Sequence, residues 1–137
     1  MKIAVDPGED VAKAIESGLS AFNQRAVGTP PDPIPVQVSV RDDTGRIVGG
    51  IVGRVWMDGL YLSTVWIDDA LRGHGHGRAM MHTAEAEGRR LGATHGWLHT
   101  LSWQARPFYE SLGYSCIGEM ALGGGQHRRY FMHKAFA

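Results

Sequence analysis

The chain has 137 residues, 43% of them hydrophobic and 20% charged, with a formal charge of zero, which fits one soluble globular domain spanning 1–137 and fits two only badly. A neutral balance offers no broad basic field for nucleic acid and no acidic tail for a basic partner, and no stretch approaches the roughly 20 apolar residues that span a bilayer. The one cysteine, Cys116, can make no internal disulfide, and no apolar run follows Lys2 to form a secretory signal, so the expected setting is the cytoplasm.

Residues 9–26 read as the first helix, with Val11, Ala12, Ile15, Leu19 and Phe22 at helical spacing behind the breaker Pro7-Gly8. The segment from Gly28 to Pro35 holds four prolines and is expected to be irregular, since proline removes donors and fixes φ. Val36 to Val40 alternates as a half-buried strand does, and Asp42-Asp43-Thr44-Gly45 supplies turn chemistry. Ile47 to Trp56 makes the next strand, where Gly49, Gly50 and Gly53 weaken it or mark a bulge. After Met57-Asp58-Gly59 the chain turns into a third, strongly apolar strand, Leu60 to Ile67.

The period then changes. From Gly75 to Leu91, one helical face carries Gly77, Met81, Ala84, Gly88 and Leu91, and another carries Arg78, His82, Glu85 and Arg89. Gly92 ends this helix. A short strand at 94–100, a short helix at 103–112 closed by Gly113, and two strands near 114–122 and 128–134 follow, the last two joined by Gly123-Gly124-Gly125. The order describes an α+β (α/β) domain with a mixed, mainly antiparallel sheet flanked by helices.

The stretch from Val65 to Arg78 carries the chemistry. Glycines at 73, 75 and 77 let the backbone turn tightly and approach a ligand. They sit where a helix begins, and its unpaired N–H groups and partial positive charge suit a pyrophosphate. Arg72 and Arg78 add charge at either edge. The G-x-G spacing alone is weak: it lacks the third glycine of the dinucleotide fingerprint and the Gly-Lys-Ser/Thr of a P-loop, so a plain strand–helix turn remains open. His74 and His76 have no carboxylate or cysteine set beside them, and no metal is expected.

A second segment runs Thr100-Leu101-Ser102-Trp103-Gln104-Ala105-Arg106-Pro107-Phe108-Tyr109-Glu110-Ser111-Leu112-Gly113-Tyr114. Together the two segments resemble the GNAT superfamily of acyl-CoA-dependent N-acyltransferases. The family's loop [Gln/Arg]-x-x-Gly-x-[Gly/Ala] is matched by Arg72, Gly75 and Gly77, and its later alanine, Phe-Tyr and Gly-[Phe/Tyr] by Ala105, Phe108-Tyr109 and Gly113-Tyr114. The element order matches too, so the resemblance covers nearly the whole chain.

The resemblance implies acetyl-CoA as acyl donor and an amine as acceptor, either a small molecule or an exposed protein amine. Backbone groups of Val65, Trp66 and Ile67 would hold the pantetheine arm and polarise the thioester carbonyl, and main-chain N–H groups of Gly73, His74, Gly75, His76, Gly77 and Arg78 the pyrophosphate. Tyr109 would direct its hydroxyl at the thioester sulfur as the acid. Many members carry asparagine seven residues before that tyrosine; here Ser102 stands there, with a shorter reach toward the cofactor arm.

No base is assigned. Asp68 and Asp69 read as solvated turn residues, Glu119 and His99 are strand candidates, and an already neutral amine would need none. Trp56, Tyr61, Trp66 and Trp103 read as core or as walls of an acceptor groove, with Trp66 the leading wall candidate. Cys116 reads as a small buried strand residue with no activating partner. A non-catalytic acyl-CoA sensor would share every cofactor residue; Tyr109 favours an enzyme. Homodimerisation through exposed strands is compatible with the family, and no residue decides it.

Overall fold

Period-two alternation carries most of the chain after residue 33, and it resolves into strands. The computed structural model describes all residues, 1–137, in two compact units, 1–32 and 33–137. The first unit holds one helix, α1 (Val11–Val27), none of whose residues is buried. It ends at Gly28, whose φ of 81° turns the chain while its N–H donates to Gln24 O at 2.9 Å.

The second unit contains β1 (Ile34–Arg41), β2 (Ile47–Trp56), β3 (Gly59–Ile67), α2 (His76–Arg90), β4 (His95–Leu101), α3 (Arg106–Ser111), β5 (Ser115–Leu122) and β6 (His127–Ala135). The strands form one sheet in the order β1-β2-β3-β4-β6-β5. Every pairing is antiparallel except β3 with β4, which gives the mixed, mainly antiparallel α+β sheet that the alternation predicts.

Most element ends shift by one or two residues from expectation, and two of the shifts have an evident cause. Strand β1 starts inside the proline run and includes Pro35. It is an edge strand, where a missing N–H can face solvent at no cost. Helix α3 starts at Arg106 instead of 103, because Gln104 holds a turn: its N–H donates to Leu101 O at 2.8 Å and its side-chain oxygen accepts from Leu101 N–H at 2.9 Å.

Helix α2 packs on the sheet through Met80, Met81, Ala84, Glu85 and Gly88. These meet Leu60, Leu62, Ile51, Val36 and Leu98 in a core that also takes in Tyr109, Leu112, Tyr114 and Met132. Glu85 corrects the predicted polar face, being only 4% exposed. Its carboxylate accepts from Lys134 Nζ of β6 at 2.7 and 2.9 Å, a partner that helix periodicity cannot reveal. Over them lies Tyr114, its ring centroid 5.6 Å from the Lys134 ammonium. Burial first, and the Glu85 charge second, push the Tyr114 phenol well above its usual range.

The glycines of β2 mark close backbone approach. The register between β2 and β3 shifts between Val52 and Gly53, leaving Ser63 as the extra residue of a bulge, and Ser63 Oγ donates to Val52 O at 3.0 Å. Upstream of it, Leu60 and Leu62 face the core; beyond it Val65 and Ile67 do, while Thr64 and Trp66 are exposed. A Cβ on Gly53 would stand 2.5 Å from Tyr61 O. Gly53→Ala is therefore expected to cost about 2 kcal/mol or more in urea unfolding. An unchanged midpoint would show that the strands can move apart freely here.

Candidate active site

The bulged β3 and the short β4 pair over three positions only: Gly59 with His95, Leu60 with Gly96, and Tyr61 with Trp97. Beyond them each strand stays with its other neighbour. Val65, Trp66 and Ile67 lie opposite Ile51, Gly50 and Gly49 of β2, and Leu98 to Leu101 run along β6. The two strands therefore part after Tyr61, and their facing backbone edges border a wedge. A backbone edge without a ladder partner can hydrogen-bond an extended, amide-bearing ligand.

Strand β3 leads from the wedge into a tight loop. Asp68 Oδ1 accepts from Ala70 N–H at 3.0 Å, capping a single 3₁₀ turn at Asp69–Leu71. Gly73 and Gly75 both have φ of 81°, a region that favours glycine. Nothing lies within 4 Å of a Cβ built on either one, so the loop is open toward a ligand. Gly75 is the N-cap of α2, with no side-chain cap bond, leaving the first N–H groups of the helix for an anion. Gly77 has a different reason: a Cβ there would meet the Phe108 ring at 3.2 Å, so this glycine lets α3 close on α2.

The basic side chains flank that loop. Arg72 pairs with Asp69 at 2.9 Å, and Arg78 Nη2 donates to Ser111 Oγ at 3.2 Å. His74 is exposed and His76 half-buried, their rings 6.3 Å apart.

The Phe108–Gly77 contact brings Tyr109 to the start of α2. Tyr109 is 7% exposed, with the rings of Phe108 and Tyr114 edge-on to it at 5.3 and 6.2 Å. Burial raises its phenol above the ordinary value, which keeps the proton on at neutral pH and makes it a hydrogen-bond donor. Ser102 is tied to β6: its hydroxyl accepts from Arg128 N–H at 3.0 Å and its own N–H donates to Arg128 O at 2.8 Å. The hydroxyl proton is left to give.

The other predicted candidates separate. Asp68 caps the 3₁₀ turn and Asp69 holds Arg72, while Glu119 is held by Arg128 at 2.9 Å and lies 4.0 Å from Arg106. Cys116 is half-buried and donates its thiol to Gly118 O at 3.3 Å across a bulge in β5. Trp66 is 49% exposed, and Trp103 stacks edge-on to His127 at 4.8 Å. Trp56 and Tyr61 instead line a shallow pocket of about 280 Å³ with Arg54 and Trp97. Arg54 and Trp97 escaped the sequence reading. Their signal was the alternation itself, which sets His95, Trp97 and His99 on one face of β4 and Gly96, Leu98 and Thr100 on the buried one.

A parallel strand pair splayed at its C-terminal half thus feeds a glycine loop at a helix N-terminus, backed by a buried tyrosine. The chain belongs to the Acetyltransferase (GNAT) family, whose model matches residues 11–114, and it is an acyltransferase enzyme. An acetyltransferase of Agrobacterium fabrum is 30% identical over 118 residues, 85% of each chain. Blasticidin-S acetyltransferase of Streptomyces morookaense is 34% identical over 73 residues, 53% of this chain and 54% of that one. The crystal structure of an acetyltransferase from Bacillus cereus superposes with a TM-score of 0.89 at 24% identity, covering 99% of both chains, a likeness of fold.

Proposed function

We propose that the chain transfers the acetyl group of acetyl-CoA to the amine of a small molecule, with residues 1–137 acting as one cytoplasmic catalytic domain. The observation that carries this reading is the wedge between β3 and β4 ending on the open Gly73–Gly75 loop. The family match crosses from the first compact unit into the second, which supports a single working domain. A small acceptor is supported by the pocket of about 280 Å³, at the low end for small-molecule sites, and by the antibiotic named in one relative.

In this reading the β3 edge at Val65, Trp66 and Ile67 aligns the pantetheine arm, and one main-chain N–H there donates to the thioester carbonyl oxygen. Such a donor strengthens as charge develops on that oxygen, and losing one costs about 3 kcal/mol of barrier. The N–H groups from Gly73 to Arg78 hold the pyrophosphate, with Arg72 and Arg78 at its rim. Ser102 has a hydroxyl proton to offer the arm. Tyr109 donates to the departing sulfur; a phenol raised above pKa 10 facing a thiolate of conjugate acid near 8.5 acts by hydrogen bonding more than by complete proton transfer.

A thermal melt tests the site, with ATP and NAD as controls. Acetyl-CoA at a hundred times its Kd is expected to add about 2.7 kcal/mol, several degrees for a domain of this size. No shift, or an equal one with ATP, would reduce the loop to a turn or a generic phosphate site. Tyr109→Phe is expected to slow turnover about tenfold or more while that thermal shift persists. An unchanged rate would remove Tyr109 from the acid role.

A further inference from the structure

The sheet face turned away from α2 carries side chains that the cofactor reading does not use. Strand registers place Arg54, Tyr61, Trp97 and His133 in one row across β2, β3, β4 and β6. The Tyr61 ring stacks on Trp97 at 4.1 Å, and the Arg54 guanidinium lies 4.8 Å from the Tyr61 ring centroid. Tyr61 is the last β3 residue paired with β4. His99 lies two residues beyond Trp97, on the diverging part of β4, and its Nε2 is 3.0 Å from the Tyr61 hydroxyl. This hydrogen bond thus bridges the two strands where they part, at the closed end of the wedge.

We propose that Tyr61 and His99 form the proton relay that deprotonates the acceptor amine, and that the pocket beside them, walled by Arg54, Trp56 and Trp97, seats that amine. The proposal rests on the acetyl-transfer reading and adds the base which that reading lacks. The alternatives among the carboxylates are occupied: Asp68, Asp69 and Glu119 each hold a structural partner. Tyr61 itself lines the pocket, so its hydroxyl joins the pocket to the imidazole. Arg54 repels a second cation beside Tyr61, which favours the neutral amine there.

With Nδ1 carrying the imidazole proton, His99 Nε2 accepts from Tyr61 O–H, and the Tyr61 oxygen keeps a lone pair for an amine N–H. The amine nitrogen attacks the thioester carbonyl carbon, the C–N bond forms and the C–S bond breaks. One N–H proton passes to the Tyr61 oxygen as the Tyr61 proton passes to His99 Nε2. The thiolate leaves hydrogen-bonded to Tyr109 O–H, and the proton that the His99 imidazolium releases to water balances the one the thiolate takes up. The products are thus the amide and the coenzyme thiol, with Tyr61, His99 and Tyr109 back in their starting states.

Tyr61 of β3 and Phe131 of β6, its ring centroid 5.9 Å away, face His99. Arg54 of β2 stands over Tyr61. Farther along the same face His95 and His133 bond each other at 3.2 Å, and Asp58 lies 3.6 Å from His95.

Two readouts test the relay. In the free protein, ¹⁵N shifts of the His99 ring are expected to show the Nδ1–H tautomer with Nε2 accepting, and Tyr61→Phe to abolish that preference; an Nε2–H tautomer overturns the relay. In kinetics, release of the coenzyme thiol is followed with tyramine, spermidine, glucosamine and blasticidin S as acceptor probes. Tyr61→Phe and His99→Gln are each expected to lower kcat about a hundredfold with acetyl-CoA affinity unchanged. The double variant should be no worse than the weaker single, because the two act as one unit. A kcat within about threefold of wild type in either variant is too small for a lost base and sinks the proposal. A wild-type protein that binds acetyl-CoA but turns over none of the amines takes down the acetyl-transfer reading itself, and the relay with it.

Discussion

Gly75→Asp is expected to raise the Kd for acetyl-CoA at least a hundredfold, read by calorimetry and by the loss of the ligand-induced thermal shift. Two effects act at this position. The residue has φ of 81° and ψ of 2°, a left-handed conformation that costs an ordinary residue about 1–2 kcal/mol and aspartate less. No atom lies near the new Cβ, and a carboxylate at the start of α2 favours the helix. The fold should therefore survive while the anion site is filled by an anion. A hundredfold change corresponds to about 2.7 kcal/mol, within reach of one like charge held against a pyrophosphate in a half-exposed site. Gly75→Ala, which adds strain without charge, should fall between the two. Wild-type affinity in Gly75→Asp would remove the loop from the site.

Lys134→Ala is expected to produce the largest loss of stability from any single charge removal. Glu85 has 5% and Lys134 21% of its side chain exposed, and their contact is 2.7 Å. Truncating the lysine leaves the buried Glu85 carboxylate between α2 and β6 without its ion-pair partner, a change that costs about 3–5 kcal/mol. The lysine also covers the Tyr114 ring, and its stem packs 3.5 Å from the position of a Cβ on Gly113, so packing is lost as well. Removing the charge from both partners, as Glu85→Gln with Lys134→Met, should recover most of the loss in urea titrations. Equal midpoints for Lys134→Ala and wild type would mean that water reaches Glu85 in the folded state.

Most of the scaffold was legible because two periods separate cleanly along the chain. The sequence bounds of Ile47–Trp56 coincide with those of β2, since glycine-bearing turns at Gly45 and Gly59 flank it on both sides. What escaped was information that no single segment holds. The Ser63 bulge depends on how β2 and β3 meet, and Glu85 looks like a surface residue until β6 brings Lys134 to it. Family spacing singles out Gly77 for the cofactor loop, whereas the structure gives its missing side chain a packing reason, the Phe108 ring. The acceptor wall was the weakest reading. Trp66 is exposed, as an outward-facing position between Val65 and Ile67 should be. Alternation counted from Leu60 would bury it, and the bulge at Ser63 changes that phase, yet it lies outside the pocket that Trp56 and Tyr61 line. Trp97 and Arg54 acquire meaning only when the registers set them on either side of Tyr61.

The three-pair contact between β3 and β4 also divides the sheet mechanically. On one side β1, β2 and β3 are laced by ladders of seven or more pairs, on the other β4, β6 and β5 are, and between them runs a seam. Amides bordering the open stretch of that seam have no strand partner to slow their exchange with solvent. A ligand bonded along one lip and anchored by the helix at its end acts as a splint. Its binding should slow hydrogen exchange in both halves together, making the two blocks of the apoprotein behave as one cooperative body.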